Sequence, residues 1–268
     1  MRRWAHALAL VAVACAPPTD ADTVPASRTT STAEVAHRAL YGRVHALSDA
    51  NEGLAGVTVE AAGVTAESDV AGGYWMEVPQ PVPWLTVDAG ARGYVPLLVH
   101  LPDHGEALEV WPGLATREEV DQILTLAAAT SRISPTFDPT LAYLFVQIPH
   151  ISDSSDTAGA ELRVRVDGAP PEDVYVAAYN TALDTCIPRR VEDEVVTVDA
   201  ACDGFMMLPE LEDGATVRFE ITHPTRECAR SKEQRLEGLA TPTLDFEIEA
   251  VAGWLNLTGA ECEPVDKH

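Results

Sequence analysis

The sequence predicts a mainly β protein: tandem β-sandwiches with one short linking helix. Two observations lead there. Short runs such as "VTVEAAG" and "YWMEVP" alternate apolar with polar or small residues, as strands with one dry and one wet face do. Clusters of Gly, Asp and Pro separate them, as in "DVAGG". A hydrophobic fraction of 46% in 268 residues is enough for one large core or two small ones.

From Leu40 the strands follow in order. "LYGRVHAL" is the first, and "DANEGLAG" supplies turn residues. "VTVEAAG", "VTAES", "YWMEVP", "PWLTVDA", "YVPLLVHL" and "ALEVWP" continue the series. Gly53, Gly56, Gly72 and Gly73 allow tight reversals, and Asp69 can bond the backbone of the turn before Gly72. Tyr74 and Trp75 open a strand on opposite faces, and neither is required as a ligand platform.

The stretch "YGRV…GLAGVTVEA…TAESDVAGGYWMEVP…LTVDAGARGYVPLLVHL" carries Gly42, Val44, Gly56, Val57, Val59, Asp69, Gly73, Tyr74, Gly93 and Tyr94. In these residues it resembles the carboxypeptidase regulatory-like family of small transthyretin-like sandwiches, over residues 39–111. Ser68 stands where that family usually has Thr. The resemblance implies an accessory or adhesive module without catalytic residues.

"TREEVDQILTLAAA" breaks the strand rhythm. Thr116 is placed to cap a helix, with Glu119 at the capping-box position and Val120, Ile123, Leu124 and Ala127 as an apolar stripe. A second strand series then runs through "LAYLFVQIPHI", "AELRVRVDG", "DVYVAAYN", "EVVTVDA", "GFMMLPEL", "ATVRFEITHP" and "TLDFEIEAVAGWLNLTG". A faint repeat relates "VTVEA" to "VYVAA", "GGYWMEVP" to "DGFMMLP", and "WLTVDA" to "TVRFEI". The expected division is a signal over 1–14, a tether over 15–36, a carboxypeptidase regulatory-like sandwich over 37–112, a helical linker over 113–135, and a second, disulfide-bonded sandwich over 136–265.

The N-terminus, "MRRWAHALALVAVACAPPTDAD", has a basic start and an apolar run too short to span a bilayer. With "AVAC" ending at Cys15, it resembles a bacterial lipoprotein signal. That resemblance implies cleavage before Cys15, lipidation of Cys15, and outer-membrane sorting, since Ala16 rather than Asp follows. Ordinary secretion with cleavage near Ala14 or Ala16 is the alternative. Cleavage would remove Arg2 and Arg3 but no acid, taking the formal charge from −24 to −26. The partner at this end is a membrane, held through lipid burial and not through charge. Residues 16–36, rich in Pro, Thr, Ser and Ala, have the composition of a flexible tether.

So acidic a surface repels nucleic acid and anionic headgroups and suits cations, basic partners or a salty medium. Cys186, Cys202, Cys228 and Cys262 form an even set in an exported chain, which points to two disulfides. Local loop closure favours Cys186 with Cys202 and Cys228 with Cys262. A tetrathiolate metal site lacks the short Cys pair that zinc sites use.

No chemical motif stands out. G-x-S-x-G, H-E-x-x-H and G-x-G-x-x-G are absent from the sequence, so no catalytic residue, cofactor or metal is assigned. His100 and His104 flank Pro102 and Asp103 on a loop and would need further ligands to hold a metal. Tyr175, Tyr179, His150 and His223 supply the residue types of an intradiol dioxygenase iron site, to which transthyretin-like architecture is similar, but no motif places them. Asp153 and Asp156 in "DSSD" lack the remainder of a calcium loop. Trp84, Trp111 and Trp254 are the aromatic binding candidates, with burial in a core or junction as the competing use. The reading is therefore a non-catalytic cell-envelope lipoprotein, outer-membrane-anchored or extracellular, that binds an envelope protein or glycan or serves structurally. The alternative is a secreted metal-dependent or hydrolytic enzyme, whose site would be assembled from loop histidines and acids.

Overall fold

A computed structural model describes residues 36–103, 105, 107–129, 131–148, 159–180, 185–191, 195–197, 202, 205–231, 234–235 and 238–264. The chain is mostly strand. In the first half come β1 (His37–Arg43), β2 (His45–Ala46), β3 (Asp49–Gly53), β4 (Thr58–Ala61) and β5 (Val64–Glu67). They are followed by β6 (Gly73–Pro79), β7 (Trp84–Asp88), β8 (Leu97–His100), β9 (Ala107–Val110) and β10 (Gly113–Leu114). Helix α1 (Arg117–Ala128) comes next. The second half contains β11 (Ala142–Gln147), β12 (Glu161–Val166), β13 (Val174–Asn180), β14 (Thr185–Val191), β15 (Val195–Thr197) and β16 (Phe205–Leu211). It ends with β17 (Thr216–Thr222), β18 (Arg226–Ala229), β19 (Thr243–Glu249), β20 (Leu255–Gly259) and β21 (Glu261–Pro264).

The organising element is a nine-stranded sheet in the order β14-β13-β16-β11-β20-β8-β7-β4-β5. A three-stranded sheet, β6-β1-β9, covers one face at the β8-to-β5 end. Helix α1 packs near β14 on that same face and completes the first core through Val120, Leu124 and Ala127. A four-stranded sheet, β15-β12-β17-β19, covers the opposite face at the other end and closes the second core. The two small ribbons are β10-β2-β3 and β18-β21.

The mainly β, sandwich-type class is the one the strand pattern predicts. The division at residues 112 and 136 needs correction. Strands β8 and β20, from opposite halves of the chain, pair in parallel, with Leu97 opposite Leu255 and Val99 opposite Leu257. Strand β11 serves both cores: Tyr143 and Phe145 belong to the first, and Ala142, Leu144 and Val146 to the second. The physical reason is that β11 and its neighbours carry apolar residues on both faces. Neither half can bury its share of the long sheet alone.

The internal repeat is corrected too. Strand β4 pairs with β7 and lies across the core from β6. Its supposed counterpart β13 instead pairs with β16, and β17 sits in the other sheet. Similar strand sequences here reflect similar burial demands. The expected turn over 49–56 also contains β3, which pairs with β2.

Local chemistry explains the fixed points. The Asp69 carboxylate accepts N–H bonds from Ala71 and Gly73, both at 2.8 Å. Gly72 has φ of +85°, and a Cβ there would lie 2.3 Å from the carbonyl oxygen of Val44. Buried Ser68 donates to the Leu54 carbonyl at 2.6 Å and accepts from the Val57 N–H at 2.9 Å, tying down the loop before β4. Thr116 and Glu119 form the capping box at the start of α1. Buried Arg38 donates to the carbonyls of Pro102 and Gly105, both at 2.8 Å, and so holds the loop after β8.

Candidate functional site

Aromatic and charged side chains gather at two places: the outer face of β6-β1-β9, and the seam where the two cores meet.

In the three-stranded sheet, side-chain alternation sends Tyr74, Met76 and Val78 into the first core and turns Trp75 and Glu77 outward. Burial lifts the Tyr74 hydroxyl above its ordinary pKa, and it donates to the Val110 carbonyl at 2.8 Å. Trp75 is 63% exposed in the middle of its strand. Tyr41 is its direct partner on β1, and Glu109 is the partner of Tyr41 on β9. The three side chains therefore form a row across the face, one strand apart. Adjacent strands are about 4.8 Å apart, which puts Trp75 and Glu109 roughly 10 Å from each other. Trp111 donates its Nε1–H to Glu109 Oε1 at 2.8 Å and fixes that carboxylate. Ala39, opposite both Glu77 and Ala107, leaves low ground beside the row. Arg43 donates to the carbonyls of Ala71 and Asn51 at 2.7 and 2.6 Å.

At the seam, His100 ends β8 and Thr258 lies on β20. Arg230, just beyond β18, reaches across both. Its Nη2 donates to the His100 carbonyl at 3.3 Å and to Thr258 Oγ1 at 3.4 Å. Its guanidinium carbon lies 4.5 Å from the centre of the Phe246 ring, on the edge strand of the second cover sheet. Burial pushes its pKa down to about 10, opposed by the charge of Asp103, so it stays cationic at neutral pH. Burial also pushes His100 down to about 4, helped by Arg230 and opposed by a hydrogen bond to the Asn256 side chain. His100 Nε2 and Arg230 Nε have no protein hydrogen-bond partner among the described residues. Both residues line a cavity of about 60 Å³, along with Ser231, Thr258 and Glu261. That volume suits a few waters or a small ion, whereas metabolite sites run to hundreds of Å³. The arrangement clamps the two cores together. Its histidine is neutral, and the cation beside it is already committed to the carbonyl and the aromatic ring.

The residues singled out from the sequence disperse. Cys15 lies outside the described residues, as do His104, His150, Asp153 and Asp156. Cys186 is bonded to Cys202, and Cys228 to Cys262. The second pair sits directly opposite across β18 and β21 and is buried in the second core. Tyr175 is buried in the first core, whereas His223 follows β17 in the second cover sheet and accepts the Thr225 N–H at 3.2 Å. The side chain of Tyr179 is outside the described set. Among the described residues, no three His, Cys, Asp or Glu side chains come together as metal ligands do. Trp84 is 40% exposed, and Trp111 and Trp254 are half-buried. Among the described residues the most exposed aromatic is Trp75, which the strand pattern put on the opposite face from Tyr74 but did not single out as a binding residue. Arg230 and Arg38 carried no sequence signal at all.

No protein-family profile and no curated protein matches the chain. Solved structures overlap with it weakly. The Bacillus anthracis TIE protein is 11% identical at a TM-score of 0.23, over 85% of this chain and 34% of that one. Shaft pilin SpaA from Lactobacillus rhamnosus GG, as a double mutant, is 10% identical at 0.25, over 87% and 99%. The major pilin from Streptococcus pyogenes is 8% identical at 0.28, over 87% and 99%. The chain spans about a third of the length of the TIE protein. At these scores the likeness is one of strand-rich chains, and no function is carried across.

Proposed function

We propose that this chain is a non-catalytic binding or structural module of the cell envelope, outer-membrane-anchored or extracellular through a lipid on Cys15. In this reading the β6-β1-β9 sheet, drawn from the stretch that resembles a carboxypeptidase regulatory-like module, presents the outer face that meets an envelope protein or glycan. The observation that carries it is Trp75, 63% exposed at mid-strand in register with Tyr41 and Glu109. A large ring held on a sheet loses little side-chain entropy on binding and offers much area, which is why Trp and Tyr dominate binding hot spots. Tyr74 and its neighbours anchor the strand from beneath, so the face is preorganised. No helix among the described residues is long and apolar enough to cross a membrane.

The test is photo-crosslinking in cells that make the protein, with the crosslinking side chain at exposed Ala107 on the same face, or at Glu118 on α1 as the comparison. A discrete adduct from position 107, lost in Trp75→Ala and absent from position 118, is the expected result. Equal adducts from both positions, or none from 107, overturn the reading.

A further inference from the structure

We propose that the β6-β1-β9 face takes a basic segment of a partner protein, with an arginine or lysine side chain lying flat on Trp75. The inference rests on the face being a binding site and names the chemistry of what binds there.

Three observations favour a cation over a sugar. Glu77 follows Trp75 on the same face, about 7 Å along the strand, within reach of a guanidinium stacked on the indole. Glu109 stands across the row, its Oε1 accepting the Trp111 N–H, and adds negative charge at that edge of the face. Arg43 keeps its charge but is turned to the carbonyls of Ala71 and Asn51 at the Gly73 end of the sheet, away from Glu77, which lies opposite Ala39. The whole chain carries a formal charge of −24, a field that attracts a basic segment and repels an acidic glycan. A neutral sugar would stack on the same indole but draw nothing from this field. Ala39, Ala107 and Gly73 keep the ground around the row low, so an extended chain can lie across it.

The experiment is calorimetric titration of the folded protein at physiological ionic strength with two probes. One is a short arginine–glycine peptide, and the other is a neutral chito-oligosaccharide. The variants are Trp75→Ala, Trp75→Phe and Glu77→Gln, all at exposed positions whose thermal midpoint is measured alongside. The peptide is expected to bind the parent protein saturably and Trp75→Ala roughly tenfold more weakly. Trp75→Phe should retain most of the affinity and Glu77→Gln should lose several-fold. Saturable oligosaccharide binding that Trp75→Ala abolishes, without peptide binding, overturns the basic-segment inference but keeps the face as the site. Peptide binding indifferent to Trp75→Ala, or no binding of either probe, overturns the inference. In the indifferent case the attraction belongs to the acidic surface at large.

Discussion

The guanidinium of Arg230 donates to the backbone carbonyl of His100 at 3.3 Å, joining residues 130 positions apart. The bond crosses the seam at which the first-half strand β8 meets β20 from the chain's far end. The same guanidinium stacks on Phe246, so a single cation touches the long sheet and the second cover sheet together.

Replacing Arg230 therefore acts on the junction. Arg230→Ala removes two hydrogen bonds and the ring contact and is expected to cost about 2–4 kcal/mol. Arg230→Lys should recover only part, because an ammonium cannot reach the carbonyl, the hydroxyl and the ring in one plane. Urea unfolding followed by far-UV circular dichroism reads both variants.

The acid response follows from His100. Its folded pKa, pushed to about 4 by burial, lies below the ordinary value of 6.5. The folded state refuses a proton that the unfolded chain accepts. Stability is thus intact above about pH 6.5 and falls as the pH drops toward 4, by up to about 3 kcal/mol from this residue. His45, shifted down chiefly by burial, adds in the same direction. Protonating the many carboxylates also relieves repulsion, so the diagnostic quantity is a difference. His100→Asn should flatten the fall relative to the parent protein between pH 6.5 and 4.

Cys228 and Cys262 hold the last strand against β18 from inside the second core. Closing a 34-residue separation limits the unfolded ensemble, worth about 3–4 kcal/mol on a chain-entropy estimate. Replacing both with Ala should lower the urea midpoint accordingly. The paired substitution avoids leaving one thiol free in the core.

Gly72 is the most constrained turn residue between β5 and β6. With φ of +85° and a would-be Cβ 2.3 Å from the Val44 carbonyl oxygen, Gly72→Ala is expected to cost about 3 kcal/mol. Thermal denaturation compared with Gly63→Ala separates the two effects. Gly63 also has positive φ, at +78°, but nothing within 4 Å of its would-be Cβ.

Local rules made much of this fold legible. Alternation marked β4, β6, β7 and β17, and the Thr116–Glu119 box marked the start of α1. Strand β14 escaped because Pro188 interrupts its pattern, a residue that an edge strand tolerates. The pairing of β8 with β20 could not be read from either strand, since its register depends on residues more than a hundred positions away. One clue did exist in "AYLFV". Five consecutive buried residues are the mark of a strand covered on both faces, and so of a sheet shared by two cores. At the binding face, sequence alternation separated Tyr74 from Trp75, but with two aromatic rings it could not say which faces water. The seam arginine was invisible because its partners are mostly backbone and distant in the chain.

The aromatic face is a rigid platform only if both cores stand or fall together on the long sheet. Native-state hydrogen exchange on the protein tests this directly. The account predicts that the amides of β8, β11 and β20 exchange through one shared opening, with a common free energy and urea dependence. It is contradicted if β8 opens with the first half and β11 and β20 open separately with the second.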